Sequence, residues 1–572
     1  MKLNGAQILC ESLVREGVEV IFGFPGGAVL PLYDTLPQYP QLRHILVRHE
    51  QGAAHAADGY ARATGRVGVC LATSGPGACN LVTGIANAHL DSSPVVAITG
   101  QVARPFIGKD GFQEIDITGI TVPITKHNYL ILRADEIATR VKEAFHIAST
   151  GRPGPVLLDI PRDVFTEEAT FSYPSKVDLP GYKPVVRGHP AQIKKAARLI
   201  SEAKRPVILA GRGAIISNAF DELRELAEKA QIPVVTTLLG IGCFPEDHVL
   251  SFGMLGMHGM AYANLAVDAA DLIIALGMRF DDRATGRVSG FAPHAQIIHI
   301  DVDPAEIGKN VRVTVPIVGE VKHVLKALNK QVSVQTHMDW IRQVEQWRRE
   351  HPLHVIHDSD KVLPQFVVSK ICEVTHGDAI IVTGVGQNQM WSAQHFCYRK
   401  PHSLISSGGL GTMGFELPAA IGAKVGCPDE TVWAVAGDGG FQMTIQELAT
   451  AVQDNVAVKI AIINNGFLGM VRQWQALFYQ RRYVATPLSS PDFVKVAEAY
   501  GLPGLRVTEM QQVVPAIERA MEHNGPFLID FVVEPEENVY PMVAPGATLA
   551  EILEDPRKKV DFKLRPRETS NL

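Results

Sequence analysis

Along the chain, short apolar runs alternate with amphipathic stretches, and many of the apolar runs end in glycine or in polar residues. The clearest example opens with an apolar run at residues 432–436, which ends in the sequence GDGG. An amphipathic stretch at residues 445–452 leads to a second apolar run at residues 458–463, which ends in NNG. This pattern predicts a strand, a helix and a second, parallel strand. Both polar sequences then fall at the carboxyl edge of the sheet, where ligands bind.

Similar alternations recur along the chain and predict an α/β protein with three doubly wound parallel-sheet domains. We place these domains at residues 1–170, 190–340 and 360–535, followed by a C-terminal arm at residues 536–572. Residues 170–190 are rich in proline and residues 331–363 are charged and polar, so both are typical of connections. In the second domain, strands are predicted at residues 206–210, 233–236, 272–276 and 297–300.

Composition and charge argue against several classes of protein. The 572 residues exceed the size of one hydrophobic core, and the net charge of −6 without a basic block does not suit a nucleic-acid partner. No apolar run reaches the length that crosses a membrane, and the amino terminus enters a helical pattern without a targeting segment. We therefore expect a cytoplasmic protein. The seven cysteines form no CxxC pairs, which argues against a zinc site or a disulfide framework.

Asp438 and Asn465 follow the two apolar runs of the first example and are candidate metal ligands. Carboxylate and amide oxygens are hard ligands that suit Mg²⁺, and the glycines beside Asp438 let a diphosphate approach the backbone. The backbone carbonyl of Phe467 offers a third ligand. Either sequence alone would be interpreted as a turn. Because each closes a buried strand and one helix separates them, we predict that they bind a metal and a diphosphate together.

Three predicted strands of the first domain also end at residues that suit ligand binding. Residues 23–28 (GFPGGA) and 73–77 (TSGPG) are glycine-rich turns that expose backbone N–H groups, and Glu50 follows the strand at residues 44–47. Structural turns alone would explain the glycines, and a glutamate at a helix start is normally a charge that the helix dipole favours. Because the three strand ends share one rim, we predict a pocket that contains Glu50.

Four sequences together carry a resemblance to a known family: FGFPGG at residues 22–27, RHEQ at 48–51, ATSGPG at 72–77 and GDG at 437–439. They resemble the 2-oxo acid decarboxylase superfamily, whose cofactor is thiamine diphosphate (ThDP), and within it the large catalytic subunits of the acetohydroxyacid synthase family, also called acetolactate synthases. The resemblance extends from Asn4 to about Gly546. It implies decarboxylation of pyruvate on ThDP and ligation of the hydroxyethyl group to a second pyruvate or to 2-oxobutyrate, the first common step of valine, leucine and isoleucine biosynthesis.

The resemblance also implies roles for individual residues. The family's glutamate matches Glu50, whose carboxyl group would bond N1′ of ThDP and promote the imino tautomer that removes the C2 proton. Met413 matches a methionine that forces ThDP into a bent shape. The implied catalytic residues are Glu50, Gln113, Gly27 and Met413, and the implied Mg²⁺ ligands are Asp438, Asn465 and Phe467. The implied ThDP-binding residues are Pro25, Glu50, Gly75, Asn80, Gln387, Gly411, Met413, Gly439 and Met470.

The family resemblance further implies an FAD in the second domain. The reaction moves no net electrons, so the resemblance implies a structural or vestigial flavin. The implied FAD-binding residues are Arg152, Gly211, Gly213, Met257, His258, Gly277, Arg279, Asp281, Arg283 and Asp301, and the implied substrate-binding residues are Phe112, Arg279 and Trp474. The chain departs from the family pattern at Arg162, Arg212, Glu320, Asn388 and Glu416, where the family more often has Lys, Gly, Asp, His and Gly.

Glu50 and Asp438 belong to different predicted domains, and in this superfamily the two halves of a site come from different subunits. A homodimer or homotetramer is therefore expected, and a small regulatory subunit is expected from the family alone. The enzymatic alternative is a ThDP- and FAD-dependent pyruvate oxidase or a related 2-oxo acid decarboxylase. Residues 279–283 and 470–474 argue against the oxidase. The non-enzymatic alternative is a nucleotide-binding scaffold with an inactive site. The joint presence of Glu50, Met413, Asp438 and Asn465 argues against a scaffold.

Overall fold

The structure is a computed structural model that describes residues 1–353 and 359–557. These residues form three six-stranded sheets in which every pair of neighbouring strands is parallel. The predicted α/β class with three parallel sheets is thereby confirmed. Part of the predicted C-terminal arm, residues 558–572, lies outside the described residues.

The first sheet is buried on both faces. Its strands and the flanking pair are β1 (Lys2–Asn4), β2 (Val20–Gly23), β3 (Arg43–Leu46), β4 (Gly68–Ala72), β5 (Val95–Gln101), β6 (His127–Leu130), β7 (Val156–Pro161) and β8 (Glu168–Thr170). The order across the sheet is β3-β2-β4-β5-β7-β6, and β1 pairs with β8 antiparallel outside it. Val69 and Leu71 of β4 belong to one apolar cluster, whereas Cys70 and Ala72 belong to another. Both faces being buried explains why these strands are continuous apolar runs.

The central sheet has a different strand order. Its strands are β9 (Pro206–Ala210), β10 (Val234–Thr236), β11 (Ser251–Met254), β12 (Leu272–Leu276), β13 (Gln296–Asp301) and β14 (Val315–Val318). They are arranged β11-β10-β9-β12-β13-β14, which is the order of dinucleotide-binding sheets. Successive strands are added on one side of β9 as far as β11 and on its other side from β12 onwards, so the strand order reverses between β9 and β12. A ligand is therefore expected at the carboxyl ends of these two strands. The sequence predicted four of the six strands and missed the two edge strands, β11 and β14.

The third sheet repeats the order of the first. Its strands are β15 (Ile380–Thr383), β16 (Leu404–Ser406), β17 (Val432–Gly437), β18 (Lys459–Asn464), β19 (Gly504–Val507) and β20 (Phe527–Val532). They are arranged β16-β15-β17-β18-β20-β19. The predicted neighbours β17 and β18 are confirmed as a parallel pair. Trp433 and Val435 share an apolar cluster with Leu209 and Ile273, so the third domain and the central domain have a common core.

Helices cover both faces of each sheet, as a doubly wound fold requires. In the first domain they are α1 (Gly5–Arg15), α2 (Leu30–Thr35), α3 (Glu50–Thr64), α4 (Pro76–Asn80), α5 (Val82–Leu90), α6 (Ile117–Thr121), α7 (Ile137–Ser149) and α8 (Arg162–Thr166). In the central region they are α9 (Pro190–Glu202), α10 (Arg212–Ile216), α11 (Phe220–Ala230), α12 (Ala261–Asp268), α13 (Asp282–Thr285), α14 (Val321–Asn329) and α15 (Met338–Glu350). In the third they are α16 (Pro364–Val374), α17 (Gln387–His395), α18 (Glu416–Gly426), α19 (Asp438–Phe441), α20 (Leu448–Gln453), α21 (Gly469–Phe478), α22 (Phe493–Tyr500) and α23 (Val513–Glu522). Within the described ranges, none of the helices has the length and apolar character needed to cross a bilayer.

The first and third domains meet through α3 and α18, which cross at very short range. A β-carbon on Gly422 would lie 1.9 Å from the carbonyl oxygen of Ala56, and one on Gly59 would lie 2.1 Å from that of Ala419. Glycine at these two positions lets the helix backbones touch, because any side chain would occupy the space of the opposing backbone. The contact fixes the third domain against the helix that begins at Glu50.

The described part of the C-terminal arm packs on the body of the protein. Strands β21 (Met542–Val543) and β22 (Ile552–Leu553) pair antiparallel. The Val543 N–H donates to the carbonyl oxygen of Met257 at 2.7 Å, which attaches the arm to the central domain. The Arg287 N–H donates to the carbonyl oxygen of Ala547 at 2.9 Å.

Candidate active site

The first half of the site lies at the carboxyl ends of β2, β3 and β4, as the sequence predicted. Glu50 is the first residue of α3 and its side chain is buried. The Asn80 amide donates to Oε2 of Glu50 at 2.9 Å. A β-carbon on Gly77 would lie 3.0 Å from Oε1 of Glu50. The glycine-rich turn at residues 73–77 therefore wraps closely around the carboxylate, and Asn80 orients it.

Other predicted residues of this half surround Glu50. Gly75 has a φ angle of 58°, in the left-handed region that favours glycine, and a β-carbon there would lie 2.9 Å from Cα of Gln113. Gln113 is thus packed against the turn that contacts Glu50. Its neighbour Phe112 is 91% exposed in the single chain, and Gly27 is exposed on the turn that also carries Pro25. Part of this rim is therefore open to solvent in the single chain.

The second half of the site lies at the carboxyl ends of β17 and β18. Asp438, Asn465 and Phe467 line one small cavity of about 40 Å³ together with Gln387, Met413 and Gly439. Ser490 donates to Oδ2 of Asp438 at 3.1 Å, and the Asn465 amide donates to Oε1 of Gln387 at 3.1 Å. Burial raises the pKa of Asp438 from 3.8 to about 6. The structure thus brings the predicted metal ligands together, with Met413 beside them.

The donor set of this cavity suits a hard cation. It offers one carboxylate, one amide oxygen and backbone carbonyls, which are the ligands that Mg²⁺ accepts when phosphate oxygens complete its coordination. In the described ranges, no group of three or more His, Cys, Asp or Glu side chains could hold a metal. Glu50 does not line the cavity, so within one chain the two halves of the site are separate.

A buried network attaches the segment before Met413 to the first domain. The Asp91 carboxylate accepts hydrogen bonds from the backbone N–H groups of Gly408 and Gly409, at 3.1 and 2.7 Å. Arg62, which is also buried, pairs with Asp91 at 2.9 Å and with Asp58 at 2.6 Å. Because every member is paired, the network can be buried without leaving an isolated charge. None of these three charged residues was singled out from the sequence, since charged residues on a helix are ordinarily exposed.

A large cavity of about 870 Å³ lies between the domains at the carboxyl ends of β9 and β12. All but one of the predicted FAD residues line it; the exception is Gly211. A β-carbon on Gly211 would lie 2.4 Å from the carbonyl oxygen of Gly277, and one on Gly213 would lie 2.6 Å from Cα of Gly277. The two glycines therefore allow the turns after β9 and β12 to touch at the point where the strand order reverses.

The polar groups of the large cavity are partly without partners. Nδ1 of His258 and Nε of Arg212 are buried and have no hydrogen-bond partner in the ranges that the structure describes. Burial raises the pKa of Asp301, at the end of β13, to about 7 and lowers that of His258 to about 4. Arg152 pairs with Asp303 and Glu306 at 3.2 and 2.7 Å. Buried polar atoms without partners are uncommon in folded proteins and fit a cavity that takes a polar ligand.

The predicted substrate residues of the central and third domains line this same cavity. Trp474 and Met470 of α21 face it, and the Arg283 guanidinium lies 5.9 Å from the centre of the Trp474 ring. Gly411, predicted to bind ThDP, also lines the large cavity. Residues 385 and 386 line both cavities, so the two adjoin.

The departures from the family pattern have different surroundings. Asn388 is buried and donates to the carbonyl oxygen of Val435 at 2.8 Å. Arg162 is exposed, and Glu320 pairs with His323 at 3.0 Å. Glu416 is fully buried, and neither carboxylate oxygen has a hydrogen-bond partner in the described part of the chain. Its oxygens lie against Gly384 at the end of β15 and against Gly440 of the GDGG turn.

Three family models match the chain, one in each domain. Residues 3–120 match the N-terminal thiamine pyrophosphate (ThDP) binding domain of thiamine pyrophosphate enzymes, residues 193–328 match their central domain, and residues 384–531 match their C-terminal thiamine pyrophosphate binding domain. The first and third matches contain Glu50 and Asp438 respectively. The fold and the two half-sites thus define a thiamine pyrophosphate enzyme.

Similar proteins identify the family to which the chain belongs within the thiamine pyrophosphate enzymes. The chain is 54% identical to the acetolactate synthase large subunit IlvB1 of Mycobacterium tuberculosis, over 96% of this chain and 91% of the relative. It is 52% identical to the acetolactate synthase large subunit of Corynebacterium glutamicum, over 96% and 90% of the two chains. It is 51% identical to a probable acetolactate synthase large subunit of Methanocaldococcus jannaschii, over 98% and 97%. The chain therefore belongs to the acetolactate synthase large-subunit family.

Proposed function

We propose that this chain is the catalytic subunit of a cytoplasmic acetolactate synthase, which decarboxylates pyruvate and joins the resulting two-carbon unit to a second pyruvate or to 2-oxobutyrate. The observation that carries the proposal is the identity of more than half of the residues, over nearly the whole chain, to proteins named acetolactate synthase large subunit. The relatives support this function beyond the family models, because the models describe thiamine pyrophosphate enzymes in general, whereas the identity to the relatives extends through all three domains.

The chemistry that ThDP supplies when bound is a nucleophilic carbon that accepts the electrons released as CO₂ leaves. The residues of the chain bind the cofactor and orient it. Glu50 holds a proton at the pyrimidine ring, and Asn80 fixes its carboxyl group through the 2.9 Å hydrogen bond. Asp438, Asn465 and the carbonyl of Phe467 would hold Mg²⁺, whose charge would neutralise a diphosphate. Met413, which lines the same cavity, would hold the cofactor in its bent shape.

We assign the large cavity to FAD. Its support is the dinucleotide-binding strand order, the close contact of Gly211 and Gly213 with Gly277, and the unpartnered polar atoms of His258 and Arg212. In that cavity Arg279 and Arg283 would neutralise a diphosphate, and Asp301 would bind a ribose hydroxyl. Trp474 and Phe112 contact the second 2-oxo acid, and Arg279 pairs with its carboxylate.

We further infer a homodimer or larger homo-oligomer in which Glu50 of one subunit meets Asp438 of another. Support comes from the exposed rim around Phe112 and from the absence of Glu50 from the cavity of Asp438. A mixture of Glu50→Gln and Asp438→Ala chains, each inactive alone, tests this arrangement. Half of the random dimers would pair the two variants, and each such dimer keeps one intact site, so about a quarter of wild-type activity is expected. A mixture that stays inactive after subunit exchange would place both residues in one chain.

A smaller regulatory subunit is also part of the proposal, because the relatives are named large subunits. Incubation of purified protein with pyruvate, ThDP and Mg²⁺, with and without FAD, followed by an assay for acetolactate, tests the function directly. Acetolactate formation supports the proposal. If the flavin is instead bleached rapidly on anaerobic mixing with pyruvate and no acetolactate forms, the chain is an oxidase and the proposal fails.

A further inference from the structure

Glu447 is a fully buried carboxylate that joins the third domain to the residues immediately before Glu50. It is the last residue of a 3₁₀ turn, Ile445–Glu447, which follows the GDGG turn and precedes α20. Oε1 accepts hydrogen bonds from the backbone N–H groups of His49 at 3.0 Å and of Arg48 at 3.2 Å. Oε2 accepts from Arg48 N–H at 3.2 Å and from the Thr450 hydroxyl at 2.7 Å. One carboxylate thus satisfies both backbone donors that lead into Glu50.

The sequence around Glu50 is adapted to this approach. A β-carbon on Gly52 would lie 2.6 Å from Oε1 of Glu447, so only glycine leaves room for the carboxylate beside the first turn of α3. Backbone donors at a helix start have no partner within the helix, and a carboxylate there gains from the helix dipole as well as from the hydrogen bonds. Burial raises the pKa of Glu447, and the N–H groups of Arg48 and His49 act in the opposite direction by stabilising its charged form.

We propose that Glu447 is a positioning residue for Glu50, which fixes the strand-to-helix junction so that the Glu50 carboxyl group is held at the pyrimidine of ThDP. The inference rests on the proposed function, because it gives Glu50 that role. Glu447 acts through the backbone of residues 48 and 49, whereas the Glu50 side chain is held separately by Asn80. A displacement of about 1 Å in a reacting group costs on the order of 100-fold in rate.

The same geometry joins two different catalytic centres. Asp438 and Glu447 belong to one short segment, in which Thr444 also donates to the carbonyl oxygen of Gly414 at 2.8 Å. In the proposed assembly, Asp438 and Glu50 of one chain serve two different centres, and a partner chain completes each of them. Glu447 therefore links a chain's metal-binding segment, by hydrogen bonds, to the backbone that leads into its catalytic acid.

Glu447→Gln and Glu447→Ala test the proposal in three measurements. In cofactor-free protein, amide hydrogen exchange at Arg48 and His49 is expected to accelerate about 10- to 100-fold, the factor for a lost hydrogen bond to a charged group. In protein saturated with ThDP and Mg²⁺, exchange of the C2 proton of ThDP is expected to slow by about 10- to 100-fold. The dissociation constant for ThDP is expected to change less than about threefold, because Asp438 and Asn465 hold the diphosphate. The alanine variant, which removes both acceptors, is expected to show the larger effects.

Glu143→Gln is a matched control. Glu143 is also buried, on α7 of the first domain, and pairs with Arg140 at 2.9 Å, but it contacts neither half of the site. This variant is expected to leave all three measurements unchanged. The proposal is overturned if the Glu447 variants keep wild-type C2 exchange, or if ThDP affinity falls by the same factor as C2 exchange. If the alanine variant does not fold, the glutamine variant, which keeps the size of the side chain, tests the role of Glu447 alone.

Failure of this inference can be distinguished from failure of the proposed function. Wild-type protein that forms no acetolactate would reject the function whatever the Glu447 variants do. Wild-type protein that forms acetolactate, together with glutamine and alanine variants that exchange the C2 proton at the normal rate, would reject only the role of Glu447.

Discussion

Replacing Glu416 by glutamine tests how the third domain tolerates an acid where the family more often has glycine. Glu416 is fully buried at the start of α18, without a hydrogen-bond partner in the part of the chain that the structure describes. Burial raises its pKa from 4.5 to about 7. The glutamine side chain has nearly the same size but does not ionise.

The sign of the pH dependence follows from the direction of this shift. The folded protein binds the Glu416 proton more tightly than the unfolded chain, so the contribution of Glu416 is most favourable below pH 4.5 and is lost as the pH rises towards 7. The difference between a pKa of 4.5 and one of about 7 corresponds to roughly 3 kcal/mol at high pH. The free energy of unfolding of Glu416→Gln, relative to that of wild type, should therefore rise by roughly 3 kcal/mol between pH 5 and pH 8.

Amide hydrogen exchange across β17 and α18 in cofactor-free protein measures this difference, because the exchange of core amides reports the free energy of opening. Asp438 also has a raised pKa, of about 6, but it is present in both proteins and cancels in the comparison. His55, whose ring packs on Phe415, has a pKa lowered to about 4 and stays neutral in this window. A difference between the two proteins that is the same at pH 5 and pH 8 would refute the reasoning, since Glu416 would then not ionise in that range.

Three further predictions concern the site and the interface of α3 with α18. Glu50→Gln should nearly abolish exchange of the ThDP C2 proton while the circular dichroism of the protein stays unchanged, and wild-type exchange would reject its role. Trp474→Leu should weaken the preference for 2-oxobutyrate over pyruvate by roughly 1–3 kcal/mol, measured as the product ratio in competition, and an unchanged ratio would remove Trp474 from the acceptor pocket. Gly422→Ala should destabilise the protein by about 1–3 kcal/mol, because the new β-carbon meets the Ala56 carbonyl oxygen at 1.9 Å. Gly181→Ala, where a β-carbon meets nothing within 4 Å, is the control, and equal thermal midpoints for the two alanine variants would contradict the steric argument.

The sequence predicted the class of fold because buried parallel strands are continuous apolar runs that end in glycine or polar residues. The strands it missed in the central sheet are the two edge strands, which carry weaker signals. Gly253 in β11 has a φ angle of 74°, and Pro316 lies within β14. Glycine and proline both lower the apparent strand propensity, although an edge position tolerates them.

The positions of Asp438 and Asn465 at neighbouring strand ends were predictable, because each lies in a short motif that closes an apolar run. Glu447 was not, because it lies in an amphipathic stretch where a glutamate is normally a solvent-exposed helical residue. Its burial arises from the contact between the third domain and α3, which no local pattern encodes. Gly52, two residues after Glu50, was the only local signal, and a glycine in an alanine-rich helix does not by itself indicate that a carboxylate lies beside it.

Asp91 and Glu447 each bind backbone N–H groups across the contact between the first and third domains, in opposite directions. Asp91 is a first-domain carboxylate that binds two backbone N–H groups of the third domain, whereas Glu447 is a third-domain carboxylate that binds two of the first. In each case a glycine, Gly409 or Gly52, has no side chain where the carboxylate oxygen lies. Loops that carry site residues can then be buried between domains without unsatisfied donors. If one subunit serves two composite centres, these carboxylates and the crossing of α3 with α18 set the distance between its two half-sites, so that a rigid domain contact is a requirement of catalysis at both centres.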